Sequence, residues 1–203
     1  MNNKSRVFGL VLVLLLMATM VFAQEYNIKG VNIEVTSEVN AERFAIANEL
    51  YGQDITIGEL LEKVFPEALE SRKRNLPPDV YEKLNSEPMV WEAENDIAPT
   101  SEVIGHISYI YSGNPINFNS GSRVWLPTPW TTVPYMSALS TLTREGSFQA
   151  ASFREGFWVY EISAAGTRPN PPSGRYTVTG NHQWQNRNGG IGATVTTDWV
   201  DQK

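Results

Sequence analysis

The chain of 203 residues contains no cysteine. That removes disulfides, thiol nucleophiles, cysteine zinc sites and iron–sulfur clusters from consideration. Histidine is nearly as scarce, with two in the chain, His106 and His182. A metal site would need both of them plus a carboxylate, and they are kept as weak metal candidates. A Gly-x-Ser-x-Gly nucleophile elbow is missing, as are an EF-hand loop and any repeat of fixed period. Gly189-Gly190-Ile191-Gly192 has no following lysine or helix pattern, so it reads as a turn and not a phosphate loop. After the first 23 residues no second apolar run of spanning length follows.

The apolar run that does exist lies at the start. Lys4 and Arg6 precede Val7 to Phe22, and Val21-Phe22-Ala23 places small residues at the −3 and −1 positions of a signal-peptidase site. The pattern predicts a signal peptide over 1–23, a mature chain from Gln24, and a secreted or cell-surface protein with no membrane span after cleavage. An uncleaved N-terminal anchor is the rival reading. No cysteine follows the run, which excludes a lipoprotein anchor.

Beyond residue 23 there are 22 acidic and 14 basic residues. This net negative charge argues against nucleic acid and anionic membranes as partners. The charge is uneven, with 16 acidic and 7 basic residues over 24–96 against 6 and 7 over 97–203. That break predicts an acidic N-terminal region, 24–96, with one strand and short helices, then a β-sandwich domain, 97–203.

In the first region Val31, Ile33 and Val35 alternate with Asn32, Glu34 and Thr36, as in an edge strand. Asn40 is placed to cap a helix from Ala41 to Tyr51. Thr56-Ile57-Gly58-Glu59 has the form of a capping box. Pro66 then interrupts the pattern, as a kink or as the first residue of a new helix. Ser71-Arg72-Lys73-Arg74 reads as solvated charge at a helix C-terminus, with a processing site or anion patch as alternatives. Pro77-Pro78-Asp79 opens another short helix. Glu87 to Ser101 is a linker or strap, with Met89, Val90 and Trp91 docking on a neighbour.

From Glu102 the period changes to two. Val103, Ile107, Tyr109 and Tyr111 are read as one apolar face of a strand, and Asn119-Ser120-Gly121-Ser122 as a turn. Arg123 to Leu126, Val133 to Leu142, Ser147 to Phe153 and Phe157 to Ser163 read as strands, the last covered on both faces. A closing hairpin pairs Ser173–Trp184 with Gly189–Val200, turning at Asn186-Arg187-Asn188-Gly189-Gly190. Tyr176, Val178, His182 and Trp184 are expected inside, and Thr177, Thr179, Asn181 and Gln183 on a wetter face. The fold expected is mainly β: an antiparallel immunoglobulin-like sandwich of seven to eight strands, preceded by a small acidic helical segment.

The run Pro171-Pro172-Ser173-Gly174-Arg175-Tyr176-Thr177-Val178-Thr179-Gly180-Asn181-His182, followed by a glycine turn and a threonine-rich last strand, resembles the C-terminal strands of small exported bacterial and archaeal β-sandwich proteins of unassigned function. The resemblance covers roughly 102–203, with Ser137 to Gly146 fitting upstream. It implies a fold class and no activity.

Six tryptophans remain to be explained. Exposed aromatic rings suit the apolar faces of sugars. Trp125, Trp158 and Trp199, on strands, are read as core, whereas Trp130 lies in a proline-rich loop, where binding residues concentrate. Trp130, Tyr135 and Trp125 are therefore the candidate ligand-binding residues. The function expected is a non-catalytic interaction module with no cofactor, its partner an extracellular protein or a polysaccharide. The alternatives are a carbohydrate-binding module using loop aromatics and, behind it, a secreted hydrolase. For the latter, carboxylate pairs can be drawn from Glu145, Glu155, Glu161, Asp198 and Asp201 with no spacing that selects two.

Secreted protein is expected to begin at Gln24 by N-terminal sequencing or intact mass. Recovery of full-length chain solely in the membrane fraction would instead establish the anchor.

Overall fold

The computed structural model describes residues 30–93, 104–124 and 132–203. The expected signal peptide, Glu102, Val103, Trp125 and Trp130 lie outside them. In chain order the elements are β1 (Asn32–Thr36), α1 (Ala41–Leu50), α2 (Ile57–Val64), α3 (Pro66–Asn75), α4 (Pro78–Ser86), β2 (Ile104–Tyr111), β3 (Ile116–Val124), β4 (Val133–Arg144), β5 (Ser147–Val159), β6 (Glu161–Arg168), β7 (Gly174–Gln185) and β8 (Ile191–Gln202). No described helix is long and apolar enough to cross a membrane.

Several local signals act as read. The Thr56 hydroxyl accepts from the Glu59 amide while the Glu59 carboxylate accepts from the Thr56 amide, a complete capping box. Pro66 and Pro78 stand at the starts of α3 and α4, where a missing amide proton costs nothing. Asn40, by contrast, does not cap α1. It sits in the left-handed region, and its side-chain amide donates to the Glu34 carbonyl of β1. Glu145 and Gly146, both at positive φ, turn β4 into β5.

Two antiparallel sheets form. The larger has the order β1-β5-β4-β7-β8, the smaller β2-β3-β6. One face of the large sheet packs on the small one. Met136, Ala138 and Trp184 meet Ile104, Val124 and Ile162 towards one end. Leu142, Ala150, Tyr176 and Val178 meet Ile110, Ile116 and Phe118 towards the other. The opposite face of the large sheet lies under the helices, where Leu139, Ala151 and Phe153 pack on Leu60, Leu61, Val64 and Phe65. Met89 and Trp91 dock here as expected. The Trp91 indole donates to the Gln53 carbonyl, and the Asn181 side chain pairs with both backbone groups of Val90. The acidic region is thus built into the sheet that it covers, because β1 is the edge strand beside β5.

The helix layer is pinned by a residue that the basic run concealed. Arg72 is wholly buried and ion-paired to Glu155 at 3.5 Å. Glu155, Ser137 and Gln183 are direct neighbours across β5, β4 and β7, a single row of the sheet. The Arg72 guanidinium lies over that row, donating to Ser137 Oγ at 3.1 Å and Gln183 Oε1 at 2.9 Å, and to Asn85 Oδ1 of α4 at 2.8 Å. Gln183 in turn donates to the Leu84 carbonyl. Solvated charge at a helix end therefore describes Lys73 and Arg74 alone.

Four further expectations are corrected. The covered face of β2 is Ile104, Ser108 and Ile110 with His106, and Ile107 and Tyr111 point to solvent. Residues 119–122 are the middle of β3 and not a turn, since Gly121 allows the close approach of the Ile162 carbonyl. The dense strand at 157–163 is two strands: β5 ends at Val159, and after Tyr160 the chain crosses to the other sheet as β6. Trp158 and Trp199 are exposed at 66% and 57% and do not fill the core.

The closing hairpin has the expected strands and turn, with Tyr176, Val178 and Trp184 inward. Its other face is not wet. Thr179, Asn181 and Gln183 are buried by the helix layer. Val178→Asp and Thr179→Asp are therefore both expected to destabilise. A buried unpaired carboxylate costs roughly 3 kcal/mol or more, which at ~2–4 °C per kcal/mol lowers the melting temperature by roughly 6–12 °C. A silent Thr179→Asp in thermal denaturation would mean that the helices do not seal that face.

Candidate functional site

The sandwich brings the two histidines together. Their ring centroids are 5.0 Å apart, and His106 stacks on Trp184 at 4.5 Å. Both Nδ1 atoms lie 2.9 Å from Ser122 Oγ. His182 Nε2 lies 2.7 Å from Thr196 Oγ1, which is 2.6 Å from Ser108 Oγ, itself 2.8 Å from Ser120 Oγ. Gly180 makes room for this chain. A Cβ there would stand 2.5 Å from Ser108 Oγ and 2.7 Å from His182 Nε2.

The hydrogen bonds of both rings go to hydroxyls. Among the described residues no group of three or more histidines and carboxylates could hold a metal. Ser122, although flanked by two imidazoles, is 2% exposed between the sheets. Nucleophilic chemistry needs a substrate within reach, and this serine offers no surface to one. The arrangement is a buried polar seam, and it is neutral. Burial holds His106 down to about 4 and His182 well below its ordinary value.

Tyr135 is fully buried too, its hydroxyl donating to Glu155 Oε2 at 3.1 Å under the helices. Burial raises the Glu155 carboxyl, and the Arg72 guanidinium opposes that rise. Hence, of the three aromatics picked as ligand-binding, Tyr135 belongs to the anchor beneath the helices and the other two lie outside the described residues.

What faces solvent is the strand face that carries Ile107, Tyr109 and Tyr111. On the outer side of the small sheet, register places Ile107, Gly121 and Ser163 in one row, Tyr109, Asn119 and Ala165 in the next, and Tyr111, Asn117 and Thr167 in a third. Ile107 is 58% and Tyr111 61% exposed. Tyr109 and Tyr111 lie 5.4 Å apart between ring centroids. Tyr109 is tethered: Ser163 Oγ donates to Asn119 Oδ1 at 2.7 Å, and Asn119 Nδ2 donates to the Tyr109 hydroxyl oxygen at 2.6 Å. At the edge of this face Arg123 and Glu161 are 3.9 Å apart, so their charges offset.

Single exposed apolar residues are ordinary on a protein surface. Three successive outward positions of one strand make a patch, and patches mark interaction sites. The signal in the sequence was present but ambiguous. Ile104, His106, Ser108 and Ile110 have the same period as Ile107, Tyr109 and Tyr111, and only the polar seam across the sandwich selects the first set as inner.

No protein-family model, curated protein or solved structure matches the chain.

The histidine seam predicts acid sensitivity. A histidine with a depressed pKa binds its proton mainly in the unfolded state, so stability is full above the unfolded value near 6.5 and is lost as pH falls towards about 4. Urea midpoints are expected to fall between pH 7 and pH 5 in the natural chain and to fall less in His106→Asn. Equal pH slopes for the two proteins would mean that His106 is not held neutral.

Proposed function

We propose that this chain is an exported, non-catalytic, immunoglobulin-like binding module that meets its partner with the outer face of its three-stranded sheet. The observation that carries this reading is exposed Ile107 and Tyr111, with half-buried Tyr109 between them, on a sheet face that no described helix covers, whereas helices cover the corresponding face of the larger sheet.

The immunoglobulin-like part is supported by strand order. Counting β2 to β8 as seven consecutive strands, the first, second and fifth form one sheet, and the third, fourth, sixth and seventh the other, with β1 added at its edge. This differs from the constant-type arrangement in the fourth strand alone, which here pairs with the third. A second support is local. Tyr176, near the start of the sixth of these strands, donates its hydroxyl to the Pro172 carbonyl at 3.0 Å, the hydrogen bond of a tyrosine corner. Export rests on the segment 1–23, and the resemblance to small exported β-sandwich proteins agrees with both.

The reading is tested by retention. Purified chain from Gln24 is added to the surface of the exporting cells and the bound fraction measured. An Ile107→Lys, Tyr111→Lys double variant is expected to lose roughly tenfold in retention, as when anchors of a hot spot are removed. Its melting temperature should be unchanged, and Glu42→Lys on α1 should bind normally. Full retention of the double variant would place binding elsewhere.

A further inference from the structure

We infer that the ligand of the Tyr109–Tyr111 face is an uncharged polysaccharide, one pyranose ring of which stacks on the exposed Tyr111 phenol while the next meets the half-buried Tyr109 ring, inclined to the first by 58°. This inference rests on the reading that the outer face of the small sheet is the binding surface, and it names the chemistry that the face is suited to.

The first argument is charge. The chain beyond residue 23 carries 22 acidic and 14 basic residues, yet the three rows built on Ile107, Tyr109 and Tyr111 contain no ionisable group besides the two phenols. Charge appears at the border, where Arg123 and Glu161 lie close enough to offset each other. On the other side Glu34 of β1 reaches the third row, where its carboxylate accepts from the Thr167 amide and hydroxyl, so the charges that border the rows are already engaged within the chain. An uncharged partner loses no ion hydration on docking.

The second argument is the combination of ring faces with hydroxyl and amide groups. The face of a phenol is apolar and electron-rich, so it suits the axial C–H groups of a sugar, and the hydroxyl at the ring edge suits the sugar's own hydroxyls. Asn117, exposed beside Tyr111 in the third row, adds an amide that both donates and accepts.

The third argument is preorganisation. The Tyr109 hydroxyl oxygen accepts from Asn119, and Asn119 is held by Ser163. That pair of hydrogen bonds orients the ring before any ligand arrives and leaves the phenolic proton to be donated. An aromatic side chain fixed in advance loses less rotamer freedom on binding. Gly121, between Ile107 and Ser163, carries no side chain and lowers the floor of the first row.

The test uses the chain from Gln24 in affinity electrophoresis against soluble uncharged polysaccharides (xylan, mannan, β-glucan and hydroxyethyl cellulose), with a polyuronate as the charged comparison. Retardation by at least one of the four is expected. Tyr111→Ala should weaken it roughly tenfold, as for a truncated aromatic anchor. Asn119→Ala should weaken it by a smaller factor, because the Tyr109 ring remains but is no longer oriented. Tyr109→Phe separates the donated proton from the ring face. Circular dichroism melting of each variant guards against loss of fold. Three results would overturn the inference. Retardation unchanged in Tyr111→Ala would mean that sugar binds elsewhere, with exposed Trp158 the next candidate. Retardation by the polyuronate alone would make charge the determinant. No retardation by any polysaccharide, with cell retention still lost in the Ile107→Lys, Tyr111→Lys variant, would leave the face a protein-binding surface. If that retention also persists, the reading of the face as a binding surface fails with the inference.

Discussion

The structure depends on one desolvated charge. A guanidinium taken out of water must recover its lost hydration from partners, and the penalty left uncompensated is several kcal/mol. Arg72 recovers it from both sides of a layer boundary: Asn85 from the helices, Ser137, Gln183 and Glu155 from three adjacent strands. The rings of Tyr135 and Phe153 lie within 5.7 Å of the charge and close the site. Apolar contact between helices and sheet could slide by a residue at small cost. A forked donor over one row of the sheet could not, so Arg72 sets the position of the helix layer as well as holding it.

The second layer boundary uses a different device. Between the two sheets, apolar clusters towards either end are separated by the His106–Ser122–His182–Thr196–Ser108 seam. Every link is a neutral hydrogen bond in a dry setting, where it is strong if satisfied and costly if not. The seam decides the orientation of β2. With Ser108 and the Nδ1 atom of His106 hydrogen-bonded inside, the competing face of the strand, which carries Ile107 and two tyrosines, is left outside. The apolar outer face of β2 is therefore a consequence of how the interior is made specific.

That coupling explains what could be read in the chain and what could not. Turns, caps and proline positions are local: Thr56 and Glu59 meet within one helical turn, and Glu145-Gly146 reverses the chain by its own backbone preference. Gly121 within Asn119-Ser120-Gly121-Ser122 has the composition of a turn. It is mid-strand because β3 pairs on both sides, with β2 and β6, and a Cβ at Gly121 would stand 3.1 Å from the Ile162 carbonyl oxygen. Trp158 looked like core by its neighbours. It is exposed because its residue takes a left-handed conformation where β5 leaves the large sheet.

By itself the sequence determined the β-rich class, the short helices apart from whether Pro66 kinks one or starts another, most of the strands, the closing hairpin and the docking of Met89 and Trp91. All of these follow from periodicity and local backbone chemistry. Tertiary structure alone decided which face of β2 is inner, that Arg72 is a buried anchor and not a surface charge, and that the second face of β7 is covered. The physical reason is common to the three. Period two says that a strand has two faces but not which one is buried. A buried polar or charged group gives no local sign of its partners, which lie 65 residues away at Ser137 and 111 away at Gln183 for Arg72.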